Sequence, residues 1–231
     1  MRKAAGTTWV ILSLFFFFSC SSPQEKYRES AQEYEGAIQR FEQLDLSESY
    51  QSDAILFVGS SSIRLWDTIA EDMAPYPVIQ RGFGGSRLSD VAWYVRRIIY
   101  PHRFRALVLF VANDISGGDS DRTPEEVSGL FEYVVDTVCE KYPTTPIFWI
   151  AVTPTESRWA AWPQIRSAGE LIRQVCSERE NLYFIDTSQY YLRPDGRPNP
   201  TYFREDKLHL NRDGYRLWSR IIKKHLDRVL N

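Results

Sequence analysis

The sequence predicts an α/β fold: helices cover both faces of one doubly wound, five-stranded parallel sheet, giving a three-layer α/β/α sandwich. Short apolar runs alternate with helical patterns along most of the chain, as repeated βα units do. The runs are nearly continuous in apolar residues, which is typical of strands buried on both faces. A chain of 231 residues suits one such domain better than two. The predicted strands cover residues 54–58, 78–80, 106–112, 147–152 and 182–185.

Helices are predicted where apolar residues recur every three or four positions. One amphipathic helix is expected over 25–46. Its apolar stripe consists of Tyr34, Ile38, Phe41 and Leu44. Further helices are expected over 88–99, 125–141, 164–178 and 214–230. Thr123 and Pro124 precede the second of these four, in the order expected of an N-cap and a first-turn proline.

The first twenty residues are interpreted as a signal peptide outside the folded domain. Arg2 and Lys3 form a basic start, and the apolar run over 9–18 has the length of a signal-peptide core rather than of a membrane span. Cys20 follows in a segment that resembles a bacterial lipobox, with Phe17 in place of the usual leucine-like residue. The alternative is an ordinary secretory peptide that is cleaved after a small residue.

The lipobox interpretation predicts an exported protein on the periplasmic side or at the cell surface, anchored to the membrane through lipid on Cys20. Residues 21–26 are then a short tether, and residues 27–231 form a single domain.

Composition argues against several other classes of function. A formal net charge of −2 gives no reason to expect a nucleic-acid partner, which usually binds a basic face. Cys139 and Cys176 both fall on predicted helices, where buried unpaired thiols are the expected state, although export leaves a disulfide open. The sequence has no CxxC and no His/Cys cluster, so no metal site is expected.

Small and polar residues follow each of the first three predicted strands. GSSS occupies 59–62, RGFGGSR occupies 81–87, and Asn113 and Asp114 follow the third strand. Ligands of open parallel sheets bind at the carboxyl ends of the strands, where the strand order reverses. These loops supply a hydroxyl, glycine backbone and a neutral amide, which are the nucleophile and oxyanion donors of acyl transfer. Taken singly, each loop also fits turn and helix-capping chemistry.

Of the three histidines, His209 alone combines a nearby carboxylate with a position in a loop that leads into a helix. Asp206 precedes it by three residues, so one turn of chain can direct both side chains to one point. His102 follows a proline at the amino end of the third strand, and His225 is expected to be solvated among charged residues. A serine, a histidine and a carboxylate are together the groups of nucleophilic acyl transfer.

Four blocks of sequence resemble, in order, the SGNH hydrolases, also called the GDSL esterase/lipase family. The blocks are FVGSSSIRL, RGFGGS, VAND and DKLH, and the resemblance extends over the chain from about residue 34. The sequence looks most similar to the platelet-activating-factor acetylhydrolase-like and lysophospholipase-like bacterial esterases. The resemblance implies a flavodoxin-like sheet topology and a chemistry that needs neither a metal nor an organic cofactor.

The resemblance also implies roles for individual residues. Ser61 is the nucleophile, His209 the general base, and Asp206 the carboxylate that orients it. The backbone N–H groups of Ser61 and Gly85, with the Asn113 amide, form the oxyanion hole.

Two positions depart from the family pattern. Ser60 replaces the usual aspartate and leaves three adjacent hydroxyl groups over 60–62. Val111 replaces a glycine, which implies a bulkier backbone approach beside Asn113.

The expected activity is the hydrolysis of carboxylic esters through an acyl-enzyme on Ser61. An aromatic wall with cationic tips would favour a short acyl group, on a sugar, a lysophospholipid or another polar alcohol. The predicted members of this aromatic wall are Arg64, Trp66, Arg158, Trp159 and Trp162. For each of them the alternative is a packed tryptophan or a solvated arginine. The alternative functions are an acyltransferase with the same acyl-enzyme and a non-catalytic, lipid-anchored module that binds glycans or lipids.

Overall fold

The computed structural model describes residues 25–231, and a parallel sheet of five strands forms its centre. The strands are β1 (Ile55–Gly59), β2 (Val78–Gly82), β3 (Ala106–Phe110), β4 (Ile147–Ile150) and β5 (Leu182–Ile185). Their order is β2-β1-β3-β4-β5, and every neighbouring pair is parallel. This is the flavodoxin-like order, in which the direction of sheet growth reverses between β1 and β3. The predicted fold class is confirmed.

Eight α-helices lie in the described part of the chain, with short 3₁₀ turns before α1 and α7 and between β5 and α8. They are α1 (Arg28–Gln32), α2 (Glu35–Ser47), α3 (Ser61–Arg64), α4 (Ile69–Met73), α5 (Leu88–Ile99), α6 (Pro124–Lys141), α7 (Trp162–Ser177) and α8 (Arg212–Leu230). Helix α5 has the predicted bounds, and α6 to α8 differ from theirs by one or two residues at an end. No helix within residues 25–231 is both long and apolar enough to span a bilayer.

Side chains of the strands alternate between two cores, one on each face of the sheet. In β1, Leu56 and Val58 pack with α1, α2, α5, α6 and α7, whereas Ile55 and Phe57 pack with α3, α4 and α8. All five residues of β1 are buried. Burial on both faces explains why the strands are continuous apolar runs rather than alternating ones.

The single helix expected over 25–46 was wrong, because the chain breaks there into α1 and α2. The Ala31 carbonyl accepts the Tyr34 N–H at 2.9 Å, which closes a tight turn instead of continuing the α-helix. The Tyr94 hydroxyl of α5 also donates to this carbonyl, at 2.9 Å. Periodicity cannot reveal such a break, since Ala31 and Ile38 are both buried on the same side.

Two strands end earlier than predicted, since β3 stops at Phe110 and β4 at Ile150. The apolar residues that follow lie beyond the strands, and side chains satisfy the carbonyls of two of them. The Ala112 carbonyl accepts from the Arg158 guanidinium, and the Ala151 carbonyl accepts from the Thr187 hydroxyl.

The signal segment, Cys20 and residues 21–24 of the proposed tether lie outside the described residues. Cys139 is half-buried on α6 and Cys176 is buried on α7, and both are free thiols, as predicted. Burial raises the pKa of the Cys176 thiol to about 12, so this thiol stays protonated and unreactive.

Trp66 belongs to the core and not to the aromatic wall, so this member of the wall was wrong. Its ring is fully buried and stacks on Tyr215, with centroids 5.3 Å apart. Its indole N–H donates to Asp72 at 2.7 Å. Trp66 lies between α3 and α4 and belongs to the core on the face of the sheet that α8 covers. The neighbouring residues in the sequence do not reveal this burial.

Replacement of Trp66 by alanine therefore tests packing. We expect Trp66→Ala to lower the free energy of unfolding by about 3–5 kcal/mol, as loss of a buried tryptophan does. Urea unfolding of the variant measures the change. Trp159→Ala, at a half-buried ring, is the matched control and should lose less. A loss below about 1 kcal/mol at Trp66 would contradict its placement in the core.

Candidate active site

Ser61, His209 and Asp206 form a hydrogen-bonded chain at the carboxyl edge of the sheet. Ser61 Oγ is 2.9 Å from His209 Nε2, and His209 Nδ1 is 2.7 Å from Asp206 Oδ2. Ser61 opens α3 directly after β1, whereas the other two residues lie just before α8. In this geometry His209 can take the serine proton while the carboxylate holds the opposite ring nitrogen protonated.

The end of β1 selects one serine out of three. A side chain at Gly59 would collide with the carbonyl oxygen of Phe110 in β3, so glycine is required where the chain turns. Ser60 is only 1% exposed, and Ser62 is fixed through its carbonyl, which accepts from the Tyr215 hydroxyl at 2.9 Å. Ser61 is the one whose hydroxyl meets His209.

A tight turn fixes the carboxylate beside the histidine. Asp206 Oδ1 accepts the backbone N–H groups of Leu208 and His209, each at 2.9 Å, which leaves Oδ2 for the imidazole. Lys207 between them has a φ of 56°, in the left-handed region that a lysine rarely adopts. Partial burial acts to raise the pKa of Asp206, but the hydrogen bonds from His209 and the turn outweigh it and hold that pKa below its usual value. The carboxylate is therefore ionised and suited to stabilise an imidazolium.

Of the predicted oxyanion donors, the Ser61 N–H lies at the start of α3, whereas Gly85 and Asn113 lie in two loops that are joined by a hydrogen bond. Asn113 Nδ2 donates to the Ser86 carbonyl at 2.9 Å, and Asn113 Oδ1 accepts from Arg158 at 2.6 Å. Gly85 has a φ of 88°, a conformation that strains any residue with a side chain. A Cβ at Gly85 would also lie 3.3 Å from the Tyr34 hydroxyl, so α2 begins beside this loop. Ser86 lies in the RGFGGS block and Tyr34 on the predicted apolar stripe, but neither was predicted to contact the oxyanion donors.

Asp114, next to Asn113, has a structural position rather than a place in the hydrogen-bonded chain. It is buried and accepts the Leu88 N–H at the start of α5 at 2.9 Å. Arg122 pairs with it at 3.0 Å. A carboxylate at a helix N-terminus is favourable because it meets unpaired N–H groups. The loop after β3 is thereby held against α5.

The remaining members of the aromatic wall are divided between two places. Arg64 is exposed and lies against the glycine loop, since a Cβ at Gly84 would be 2.5 Å from its Nε. Trp159 and Trp162 stack with ring centroids 5.9 Å apart, and the Arg197 guanidinium lies 5.3 Å from the Trp159 centroid. Both rings are half-buried, so the pair keeps an accessible surface.

Arg158 was predicted as a cationic tip of the aromatic wall, but its side chain has a different position. Its guanidinium turns inward and donates to the Ala112 carbonyl at 2.5 Å and to Asn113. The guanidinium therefore faces Ala112 and Asn113 instead of solvent.

The other two histidines take no part in this arrangement. His102 is buried with Nε2 3.7 Å from Asp45, and burial lowers its pKa. His225 is half-buried on α8, rather than solvated as predicted. In the range 25–231, no group of three or more His, Cys, Asp or Glu side chains is placed to hold a metal ion.

Residues 50–217 match the model of the GDSL-like Lipase/Acylhydrolase family. The chain belongs to this family. The resemblance of the four sequence blocks is thereby confirmed, as is the expected class of enzyme, a carboxylic ester hydrolase.

Several solved structures have a similar fold. A protein from Streptococcus pneumoniae, described provisionally as a platelet activating factor, aligns with a TM-score of 0.74 and 20% identity over 88% of this chain and 97% of its own. A GDSL-like lipase from Bacteroides thetaiotaomicron aligns with a TM-score of 0.71 and 16% identity over 83% and 98%. An acetyl xylan esterase aligns with a TM-score of 0.63 and 17% identity over 75% and 99%. At such identities the similarity establishes the fold alone. None of the curated protein sequences that were compared matches this chain.

Proposed function

We propose that this GDSL-family hydrolase is a serine esterase that forms an acyl-enzyme on Ser61. Its proposed substrates are short-chain, acetyl-type esters of a sugar, a lysophospholipid or another polar alcohol. The observation that carries the proposal is the hydrogen-bonded chain from Ser61 through His209 to Asp206.

The reaction proceeds in two halves. Ser61 Oγ attacks the ester carbonyl carbon as His209 Nε2 takes its proton, and Asp206 stabilises the imidazolium. The oxyanion accepts hydrogen bonds from the N–H groups of Ser61 and Gly85 and from the Asn113 amide, each donor contributing about 2.7–4 kcal/mol to the lowering of the barrier. His209 then protonates the departing alcohol. In the second half it activates water, which releases the acid and restores the serine.

Solvent access supports hydrolysis over the two alternatives. The His209 and Asp206 side chains are 21% and 46% exposed, so water can reach the acyl-enzyme. An acyltransferase would share the first half-reaction but would need to exclude water from the second. Binding of a glycan or lipid does not require a serine hydroxyl that is hydrogen-bonded to a histidine–carboxylate pair.

The surface composition supports a short acyl group. Among the described residues, the large apolar side chains that are exposed are Leu44, Leu46 and Tyr190. Leu44 and Leu46 lie on α2, and Tyr190 follows β5, so they do not form the continuous apolar groove that a long chain needs. The Arg64 head group and the Trp159–Trp162 stack suit a polar alcohol instead. A solved structure of similar fold is an acetyl xylan esterase, which agrees with this class.

The proposal includes export as a lipoprotein anchored through Cys20. It is supported by the basic start, the apolar run over 9–18 and the cysteine that follows it.

The nucleophile is tested by replacing the serines one at a time. Ser61→Ala should lower kcat for p-nitrophenyl acetate by about 10⁴-fold or more, because the covalent step is lost. Labelling by a fluorophosphonate should disappear as well. Ser62→Ala is the matched control, since its hydroxyl does not contact His209, and it should retain most of the activity. Recovery of the label on Ser60 or Ser62 would refute the assignment of Ser61.

Substrate size is tested with esters of increasing chain length. The purified domain should have a higher kcat/KM for acetyl esters than for esters with about eight or more acyl carbons, since the described surface offers no continuous apolar groove for a longer chain. Trp159→Ala should raise KM more than it lowers kcat, as expected when uniform binding is lost. Equal or faster turnover of the long ester would overturn the short-acyl proposal and leave the roles of Ser61 and His209 intact.

Anchoring is tested in cells. The full-length protein should fractionate with membranes, and Cys20→Ser should release or misprocess it, because two acyl chains give stable anchoring where one is marginal. Fractionation by ultracentrifugation and sequencing of the mature N-terminus provide the measurements. A soluble exported protein whose mature N-terminus is not Cys20 would exclude the lipoprotein.

A further inference from the structure

Arg158 lies between β4 and α7 and reaches across to the chain that follows β3. Its Nη1 donates to the Ala112 carbonyl at 2.5 Å, and its Nη2 donates to Asn113 Oδ1 at 2.6 Å. Both acceptors belong to consecutive residues, so one planar guanidinium holds the backbone and the side chain of the same turn.

This contact and the Ser86 carbonyl together set which way the Asn113 amide faces. A guanidinium has no acceptor, so the amide oxygen must point at Arg158 and the amide nitrogen away from it. The nitrogen donates one hydrogen to the Ser86 carbonyl at 2.9 Å, which leaves its second hydrogen for the oxyanion. Without Arg158 only the Ser86 carbonyl holds this orientation, so the amide is held less firmly and its N–H is a weaker donor to the developing oxyanion.

The charge of Arg158 lacks a carboxylate partner in direct contact. Its hydrogen-bond acceptors in the described structure are a carbonyl and an amide oxygen. Burial lowers the pKa of Arg158, and Asp121 and Asp114 oppose this only from a distance. Arg158 is half-buried, and a partly desolvated cation without a contacting anion is unfavourable for folding. Such groups are concentrated at functional sites.

The same segment also braces the turn that contains His209. The Ser157 N–H donates to the Lys207 carbonyl at 3.3 Å, and Glu156 pairs with the Lys207 ammonium at 3.0 Å. Residues 156–158 therefore contact both the chain at residues 112–113 and the Asp206–His209 turn.

We propose that Arg158 is a positioning residue of the oxyanion hole, which orients the Asn113 amide and strengthens its N–H as a donor to the anionic transition state. The inference rests on the proposed esterase function and deepens it. Because the amide N–H acts on the oxyanion and not on the ground-state ester, Arg158 should contribute to kcat and little to KM.

A double-mutant cycle with Asn113 tests this inference. Asn113→Ala should lower kcat for p-nitrophenyl acetate by about 10²–10³-fold, as loss of an oxyanion donor does. Arg158→Met should lower kcat by roughly tenfold or more with KM changed less than about twofold, since the donor remains but is held less firmly. In the Asn113→Ala background, Arg158→Met should cost less than about threefold more, because Arg158 acts through the missing amide.

Two further variants separate positioning from folding. Arg158→Lys keeps the positive charge but cannot reproduce the two-pronged geometry, so it should retain only part of the wild-type kcat. Arg166→Met, at an exposed arginine on α7, is the matched control and should behave as wild type. Circular dichroism and thermal unfolding show whether each variant is folded; if Arg158→Met is not, the cycle is run with Arg158→Lys.

The outcomes distinguish this inference from the function on which it rests. Additive losses in the cycle, or a rise in KM with kcat unchanged, would overturn the positioning role while the esterase stands. A wild-type protein that hydrolyses no ester and takes no fluorophosphonate label would overturn the proposed function itself.

Discussion

The pairing of β1 with β3 is the constraint on which the rest of the site depends. Gly59 lies opposite Phe110 in the parallel register, and the Ser60 N–H donates to the Phe110 carbonyl at 3.2 Å. The two strands therefore end at the same edge, one leading into Ser61 and the other into Asn113. Their contact is also the switch point of the sheet, where the loops diverge and leave a crevice. The tight approach of the strands excludes every residue but glycine at position 59.

Polar side chains, rather than apolar packing, hold the loops above this edge. Asp114 joins the β3 loop to the first turn of α5, the Ser86 carbonyl joins the glycine loop to Asn113, and Arg158 joins the segment before α7 to the same amide. Asp206 does the same within the turn that presents His209. Preorganised donors of this kind stabilise charge without rearranging during the reaction, which is the main source of catalysis in acyl transfer.

Two features of the site are unfavourable for the stability of the fold. Lys207 adopts a left-handed conformation beside the Asp206–His209 pair. Arg158 is a half-buried cation, and no carboxylate among residues 25–231 contacts it. Either feature is unfavourable for folding when taken alone. Both lie beside residues to which the proposed reaction assigns the proton transfer and the oxyanion hole. The two apolar cores on the faces of the sheet supply the rigidity that allows such features to persist.

The sequence by itself determined the fold class and the order of the loops, because continuous apolar runs predict strands buried on both faces and short motifs follow each strand. It also singled out Asp206 and His209, which are neighbours in one turn, and the three serines over 60–62, among which the family resemblance pointed to Ser61. Tertiary structure alone decided the burial of Trp66 and the partners of Arg158. The sequence shows whether a side chain is aromatic or charged, but not which distant element it contacts. Those contacts depend on how helices and loops pack across the sheet, and they form only in the folded chain.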